Sequence, residues 1–300
     1  MIAVVKWYLY ALYLRLLRFR DRLFRHRSLD IIESNLANAL YMRFDSVAGE
    51  IPHKEKIRNS EFKVFSQQGE DGILACIFSD IGVTNKTFLE FGITDGKECN
   101  TANLSINFGW NGLLLEGDPD YARAARAYYQ SIDRFGGLDV KVVECFVSKE
   151  NINDTITGNG MAGEIDLLSI DIDGNDYWIW EEINVINPRV VVMEYNASFG
   201  RKAISVKYDP DFSRFKHHRS GWYHGASLSA LAKLGERKGY DLICADCAGV
   251  NGFFVRKDVV KHKLEALSAE DAFYPQKKRL KVATEAQQFD VIKHLDLVEV

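Results

Sequence analysis

Thr87-Phe88-Leu89-Glu90-Phe91-Gly92-Ile93-Thr94-Asp95-Gly96 reads as an apolar strand that ends in an acid and then turns through two glycines. Glycine lets backbone approach a ligand closely where the first strand of a parallel sheet ends. The spacing is G-x-x-x-G, not the G-x-G-x-x-G of a dinucleotide site. Glu90 stands where a strand-end carboxylate meets a cationic group such as an amino-acid ammonium. A second apolar run, Asn111-Gly-Leu-Leu-Leu-Glu116-Gly-Asp118, ends in another carboxylate, 20 residues past Gly96. At about that interval an acid accepts hydrogen bonds from ribose hydroxyls. Together the two tips imply a nucleoside-containing cofactor lying across the top of a sheet.

Working outward, strand-like and helix-like runs alternate from about residue 61. Strands are expected at 86–91, 111–116, 138–143, 165–171, 189–195, 240–244 and 251–256, and helices at 69–81, 121–131, 177–184 and 227–238. Several strands are apolar throughout, as a sheet covered on both faces requires. The alternation predicts an α/β, Rossmann-like doubly wound sheet. The last two strands are separated only by 245–250, too short for a parallel crossover, so they form an antiparallel hairpin. The expected organisation is a basic aromatic helix at 1–30, a helical connector at 31–60, the catalytic domain at 61–258 and a mostly helical extension at 259–300.

The 300 residues carry a net charge of −4, with 47% hydrophobic and 27% charged side chains. Five prolines and 22 glycines exclude a collagen-like or mostly disordered chain. Nothing in the overall charge signals nucleic acid. Five cysteines scattered through a long chain argue for a reducing compartment rather than a disulfide framework. Charge is uneven: residues 1–30 sum to +5 and the remainder to −9. In that segment Arg15, Arg18, Arg22 and Arg25 share one helical face and Leu12, Leu16, Phe19 and Leu23 a neighbouring one, behind Trp7, Tyr8, Tyr10 and Tyr13. The pattern predicts an N-terminal amphipathic helix, with residues 1–28 resting on an anionic membrane surface. Packing on the protein or on a second copy, as a homo-oligomer, and a short true span are the alternatives. The expected location is cytoplasmic, peripheral on the inner face of the membrane.

The fourth strand delivers three carboxylates close together, Asp171, Asp173 and Asp176. If the strand continues, Asp171 and Asp173 point the same way. Such crowding raises a pKa or recruits a cation. A divalent ion on Asp171, Asp173 and Glu194, with Asn196 nearby, is one reading; direct contact of Asp171 with substrate or cofactor is preferred. Cys244-Ala-Asp-Cys247 lacks further ligands at zinc spacing and reads as structural. The polar stretch 197–224, rich in Arg and Lys, reads as a loop at a substrate mouth suited to an anionic acceptor.

Ser66-Gln67-Gln68-Gly69-Glu70-Asp71, Leu89-Glu90-Phe-Gly92 with Asp95-Gly96 and Asn100-Thr101, Leu115-Glu116-Gly117-Asp118, and Ser169-Ile-Asp171-Ile-Asp173-Gly174 together resemble the FkbM-type S-adenosylmethionine-dependent methyltransferases. The likeness spans roughly residues 61 to 258 and extends to Gly225-Ala-Ser227 and Asn251-Gly-Phe-Phe-Val-Arg256. It implies a seven-stranded sheet, mostly parallel, with an antiparallel last strand. It implies S-adenosylmethionine as cofactor, with Glu90, Gly92, Asp95 and Gly96 around its methionine part and Glu116 at the ribose. Phe146 would lie against the adenine, Gln67 would close over the cofactor, and Asp171 would sit beside the methyl. Where many relatives carry acid-Gly-Glu after the fourth strand, this chain reads Asp173-Gly174-Asn175-Asp176. Proton removal from an oxygen nucleophile needs a base, and the candidates are Asp171, Asp173 and His224, the histidine titrating nearest neutral pH. The expected acceptor is a hydroxyl of a small molecule, saccharide or lipid-linked glycan. The rival functions are a non-catalytic scaffold on the same fold and a nicotinamide-dependent sugar-modifying oxidoreductase.

Overall fold

The computed structural model describes residues 53–133, 137–260 and 264–300, all within the unit Phe44–Val300. The N-terminal amphipathic helix, the membrane contact through 1–28 and the helical connector up to residue 52 lie outside the described residues. The elements run α1 (His53–Ser60), α2 (Glu70–Ile81), β1 (Thr87–Phe91), α3 (Ala102–Phe108), β2 (Asn111–Glu116), α4 (Pro119–Ile132), β3 (Val140–Glu144), α5 (Ile152–Gly158), β4 (Gly163–Ile170), α6 (Asp176–Glu182) and β5 (Ile186–Glu194). They continue with β6 (Ile204–Val206), α7 (Arg214–His217), α8 (Leu228–Arg237), β7 (Tyr240–Ala245), β8 (Asn251–Arg256), α9 (Ala269–Ala272), α10 (Lys277–Leu280), α11 (Glu285–Ile292) and β9 (Leu297–Glu299).

Seven strands form one sheet in the order β3-β2-β1-β4-β5-β8-β7. Neighbours from β3 to β5 pair in parallel, whereas β8 is antiparallel to both β5 and β7. The doubly wound sheet and the β7–β8 hairpin are therefore as the sequence predicts. Winding runs outward from β1 to β3 on one side and from β4 to β5 on the other. The switch point falls between β1 and β4, where open α/β sheets bind ligands outside the carboxyl ends of their strands.

Period-two alternation divides the core. Leu89, Phe91, Leu168, Ile170, Val191 and Met193 pack on one face, and Phe88, Leu167, Val190, Val192, Phe253 and Val255 on the other. Local signals set the helix starts. Asp118 caps α4, accepting from Asp120 N at 2.8 Å and Tyr121 N at 3.1 Å, with Pro119 in the first turn. Ser227 caps α8 through Ala230 N at 3.0 Å.

Two expectations are corrected. β4 stops at Ile170 and Asp173 takes a left-handed backbone (φ 56°), so Asp171 and Asp173 do not extend a strand side by side. The stretch 197–224 is not a free loop either. Its β6 pairs antiparallel with β9 at the chain end, and Phe199, Ile204, Val206, Phe212 and Tyr223 form a small core with Ile292.

Candidate functional site

The tips of β1 and β2 are tied together by acids facing backbone amides. Glu90 is buried, and its carboxylate accepts from Asn100 N (2.9 Å), Thr101 N (3.0 Å), Thr101 Oγ1 (2.5 Å) and Ser169 Oγ (3.2 Å). Burial pushes its pKa up, and the Thr101, Asn100 and Ser169 hydrogen bonds partly offset that. A carboxylate has about four acceptor positions, and all four are taken. Contrary to expectation, Glu90 thus has none left for an ammonium; it braces the loop that opens α3.

Gly92 and Gly96 are also explained by the chain itself. Gly92 has φ 71°, and a Cβ there would lie 1.5 Å from the Asp171 carbonyl oxygen. Gly96 has φ 77° and packs against Ala125 and Tyr129 of α4. Asp95 is half-buried and pairs with Lys97.

Glu116 differs from Glu90. Its carboxylate accepts from Thr94 N at 2.7 Å and Asp118 N at 2.9 Å, spanning the two turns. Thr94, at φ 49°, is a non-glycine residue in the left-handed region, held there partly by this bond. Two acceptor positions of Glu116 remain. Beside it the Phe146 ring lies against Gly117 with 58% of the residue exposed. A braced acid next to an exposed aromatic face suits a ribose and its base.

The Ser66–Gly69 segment is organised by Asp71. One of its oxygens accepts from Val64 N, Phe65 N, Ser66 N and Ser66 Oγ, each at 2.8 Å. Gln67 is exposed on this loop, and it lines a cleft of about 390 Å³ together with Glu61, Lys63, Cys247 and Lys277. That cleft includes none of the strand-tip carboxylates. Cys244 and Cys247 are free thiols; Cys247 Sγ donates to Glu61 Oε2 at 2.7 Å.

The tips of β4 and β5 gather charge. Burial, then the neighbouring Glu194, Asp173 and Asp176, raise the Asp171 pKa well above the usual range. Burial and Asp173 push Glu194 up to about 8. Asp176 is pushed to about 6 by burial, while accepting from Ile172 N (2.8 Å) and Gly174 N (2.9 Å). Asp173 is exposed and paired with Arg214.

His224 is fully buried, 3.5 Å from Glu194 Oε2 through Nδ1. Its Nε2 lies 2.7 Å from Arg279 Nη2. A guanidinium only donates, so Nε2 accepts and the proton of the neutral ring sits on Nδ1. Burial, Arg214 and Arg279 hold its pKa well below the usual histidine value. No basic lone pair is left, so the expectation of His224 as general base is corrected.

The same tautomer bears on metal binding. Asp173, Glu194 and His224 bring ligand atoms within 4.8 Å of one another. A metal there needs the Nδ1 lone pair, which is protonated while Arg279 holds Nε2. Asn196, the suggested additional ligand, gives its carbonyl oxygen to Arg279 Nη1 at 2.7 Å and to Ser198 N at 3.0 Å. His224 and Asn196 are therefore not free to complete a divalent-ion site on the carboxylates.

The structure therefore gathers Asp171, Asp173, Glu194 and His224 at one end of the switch point and Glu116 with Phe146 at the other. It adds Arg214 and Arg279. Arg214 lies in the basic stretch already noted, whereas Arg279 stands in a tail with no sequence signal to single it out.

No protein-family model matches the chain, and no curated protein matches it. Solved structures with a similar fold include an O-methyltransferase from Bacillus cereus in complex with S-adenosylhomocysteine (17% identity, TM-score 0.42, covering 72% of this chain and 89% of that one). Another is magnesium protoporphyrin IX methyltransferase from Synechocystis with bound S-adenosylmethionine (9% identity, TM-score 0.40, covering 62% and 77%). A third is the N-terminal domain of EvdMO1 with S-adenosylhomocysteine bound (15% identity, TM-score 0.41, covering 68% and 95%). At such values the likeness is one of general fold, which the strand order already gives.

Proposed function

We infer that the chain is an S-adenosylmethionine-dependent methyltransferase acting on oxygen, related to the FkbM type. The observation that carries the reading is Glu116 at the tip of β2, braced by two amides with two acceptor positions left, beside the exposed Phe146 ring. Glu116 would receive the ribose hydroxyls and Phe146 the adenine, with Gly92, Asp95 and Gly96 shaping the turn between them and Gln67 at the rim. When bound, the cofactor supplies a methyl carbon already activated by its sulfonium. The protein has then to align an acceptor and remove its proton. Asp171 is the group at the β4 tip suited to that, flanked by Asp173 and Glu194.

The acceptor we infer is a hydroxyl of a saccharide or lipid-linked glycan, met by a cytoplasmic enzyme resting on a membrane through residues 1–28. The basic N-terminal segment and the arginines of 197–224 support this. Among the described residues no helix is long and apolar enough to cross a membrane. The reading is tested by calorimetric titration of the full chain with S-adenosylmethionine and, separately, with NAD⁺. Saturable binding of the first alone is expected. Binding of NAD⁺ alone would replace it with the oxidoreductase reading, and binding of neither would remove both.

A further inference from the structure

Behind Asp171 a row of buried polar side chains leads to the C-terminal tail. Asp171 and Glu194 follow Ile170 and Met193, which pair in register across β4 and β5, so the two carboxyls stand side by side at the strand tips. Glu194 Oε2 and His224 Nδ1 have no conventional hydrogen-bond partner among the described residues, and they face each other at 3.5 Å. His224 Nε2 accepts from Arg279 Nη2 at 2.7 Å. Arg279 Nη1 is fixed in turn by Asn196 Oδ1 (2.7 Å) and Ser198 Oγ (2.8 Å). Glu194, His224 and Arg279 are all more than nine-tenths buried, at 6%, 0% and 7% exposure. Asp171 is only half-buried and is the member an acceptor can touch.

Segments far apart in the chain thus spend buried polar side chains on this row, where apolar side chains would pack at less cost. Arg279 locks the ring with its proton on Nδ1, directed at Glu194. The ring lends that carboxylate a donor without adding a charge. Other charged groups face the carboxyl pair: Asp173, Asp176 and Arg214.

We propose that Arg279, His224 and Glu194 are positioning residues that hold Asp171 ready to take the proton of the acceptor hydroxyl. The proposal rests on the methyl-transfer reading. In the step, the hydroxyl O–H bond breaks and its proton passes to the Asp171 carboxylate, shared with Glu194. The acceptor oxygen bonds the methyl carbon as the carbon–sulfur bond breaks, sulfur keeping the electron pair. The positive charge of Arg279, relayed through a neutral ring, offsets part of the negative charge that Asp171 and Glu194 share between turnovers.

The test needs neither cofactor nor acceptor. Full-length protein labelled with ¹⁵N-histidine and with ¹³C at aspartate and glutamate carboxyls is titrated by NMR from pH 5 to 9. Wild type should show His224 neutral with its proton on Nδ1 throughout, and Asp171 and Glu194 titrating as a coupled pair above the ordinary carboxyl range. In Arg279→Met, His224 should take up a proton within that window, the histidinium standing in for the lost guanidinium charge beside Glu194. Arg279→Lys should keep the ring neutral over more of the window and controls for folding. A wild-type ring protonated on Nε2 or cationic at pH 7, or two carboxyls titrating independently below pH 5, overturns the proposal. So does a His224 that stays neutral across the window in a folded Arg279→Met. None of these outcomes depends on S-adenosylmethionine, so failure of the methyl-transfer reading, seen in the calorimetry, stays distinguishable.

Discussion

Replacing Glu116 by alanine separates a structural brace from a cofactor contact, because the side chain is assigned both jobs by different acceptor positions. Two of them hold the amides of Thr94 and Asp118 at 2.7 and 2.9 Å. A hydrogen bond to a charged group contributes about 1.5–3 kcal/mol; the low end applies at a sheet rim, so the pair is worth about 3 kcal/mol. For a domain of this size that lowers the melting temperature by about 6–12 °C. Thr94, released from φ 49°, would relax and recover a fraction of the loss. The other two positions are those assigned to the ribose. Losing that bidentate contact should cost a further 1.5–3 kcal/mol or so, weakening S-adenosylmethionine roughly 10- to 150-fold in calorimetry. The two readouts separate the roles. A lower melting temperature with unchanged affinity would leave Glu116 as a brace alone and remove the ribose assignment. Unchanged stability would deny the bridge between the two turns.

Three further outcomes are expected. Phe146→Ala should leave the melting temperature nearly unchanged, since the residue is 58% exposed, while calorimetry shows affinity lower by the ~1–3 kcal/mol of a base stacked on an aromatic ring. Asp166→Ala strips the buried Arg189 of its 2.7 Å carboxylate partner and frees the amides of Asn85 and Lys86, so denaturant titration should show about 3–5 kcal/mol lost with cofactor affinity intact. Burial pushes Asp166 up, but Arg189 and the amides of residues 84–86 more than offset it and hold its pKa low. Its stabilisation is therefore present above about pH 4 and fades as pH falls through the lowered folded value. Asp246 behaves oppositely. Burial and then Glu70 push it to about 7, so the native state binds the proton more tightly than the unfolded chain and stability falls as pH rises from about 4 toward 7. Asp246→Asn should look least favourable against wild type at about pH 4, and the gap should shrink or invert by pH 8 in thermal melts.

Much of the sheet was readable because burial on both faces leaves an unmistakable apolar run. β2 and β8 fall where the sequence places them, and β1 begins one residue later than expected. The helix α3 was missed: it has seven residues, no side-chain cap, and no room for a repeating apolar face. The pairing of β6 with β9 joins two three-residue strands across about ninety residues of chain; a final strand in the tail is legible in the sequence, but nothing local marks its partner. Arg279 was missed for the same reason. It sits among Lys277, Lys278 and Lys281, and only the fold turns that one cation inward while Lys277 and Lys278 stay exposed.

The candidate site illustrates a different limit. Sequence spacing places a carboxylate at a strand tip but does not say how many of its acceptor positions the chain itself consumes. Glu90 and Glu116 look equivalent in sequence, each closing an apolar strand before a glycine. The loop after β1 then turns Asn100 and Thr101 back onto Glu90, and β4 adds Ser169 from the neighbouring strand, filling it. Glu116 lies one strand further from the switch point, where its neighbour at the register position is Glu144, which offers no donor. It keeps two acceptor positions for that reason. Whether a strand-tip acid binds a ligand is thus set by the donors of the adjacent strand and the following loop, and exchanging Ser169 for alanine should return one acceptor position to Glu90 without creating one at Glu116.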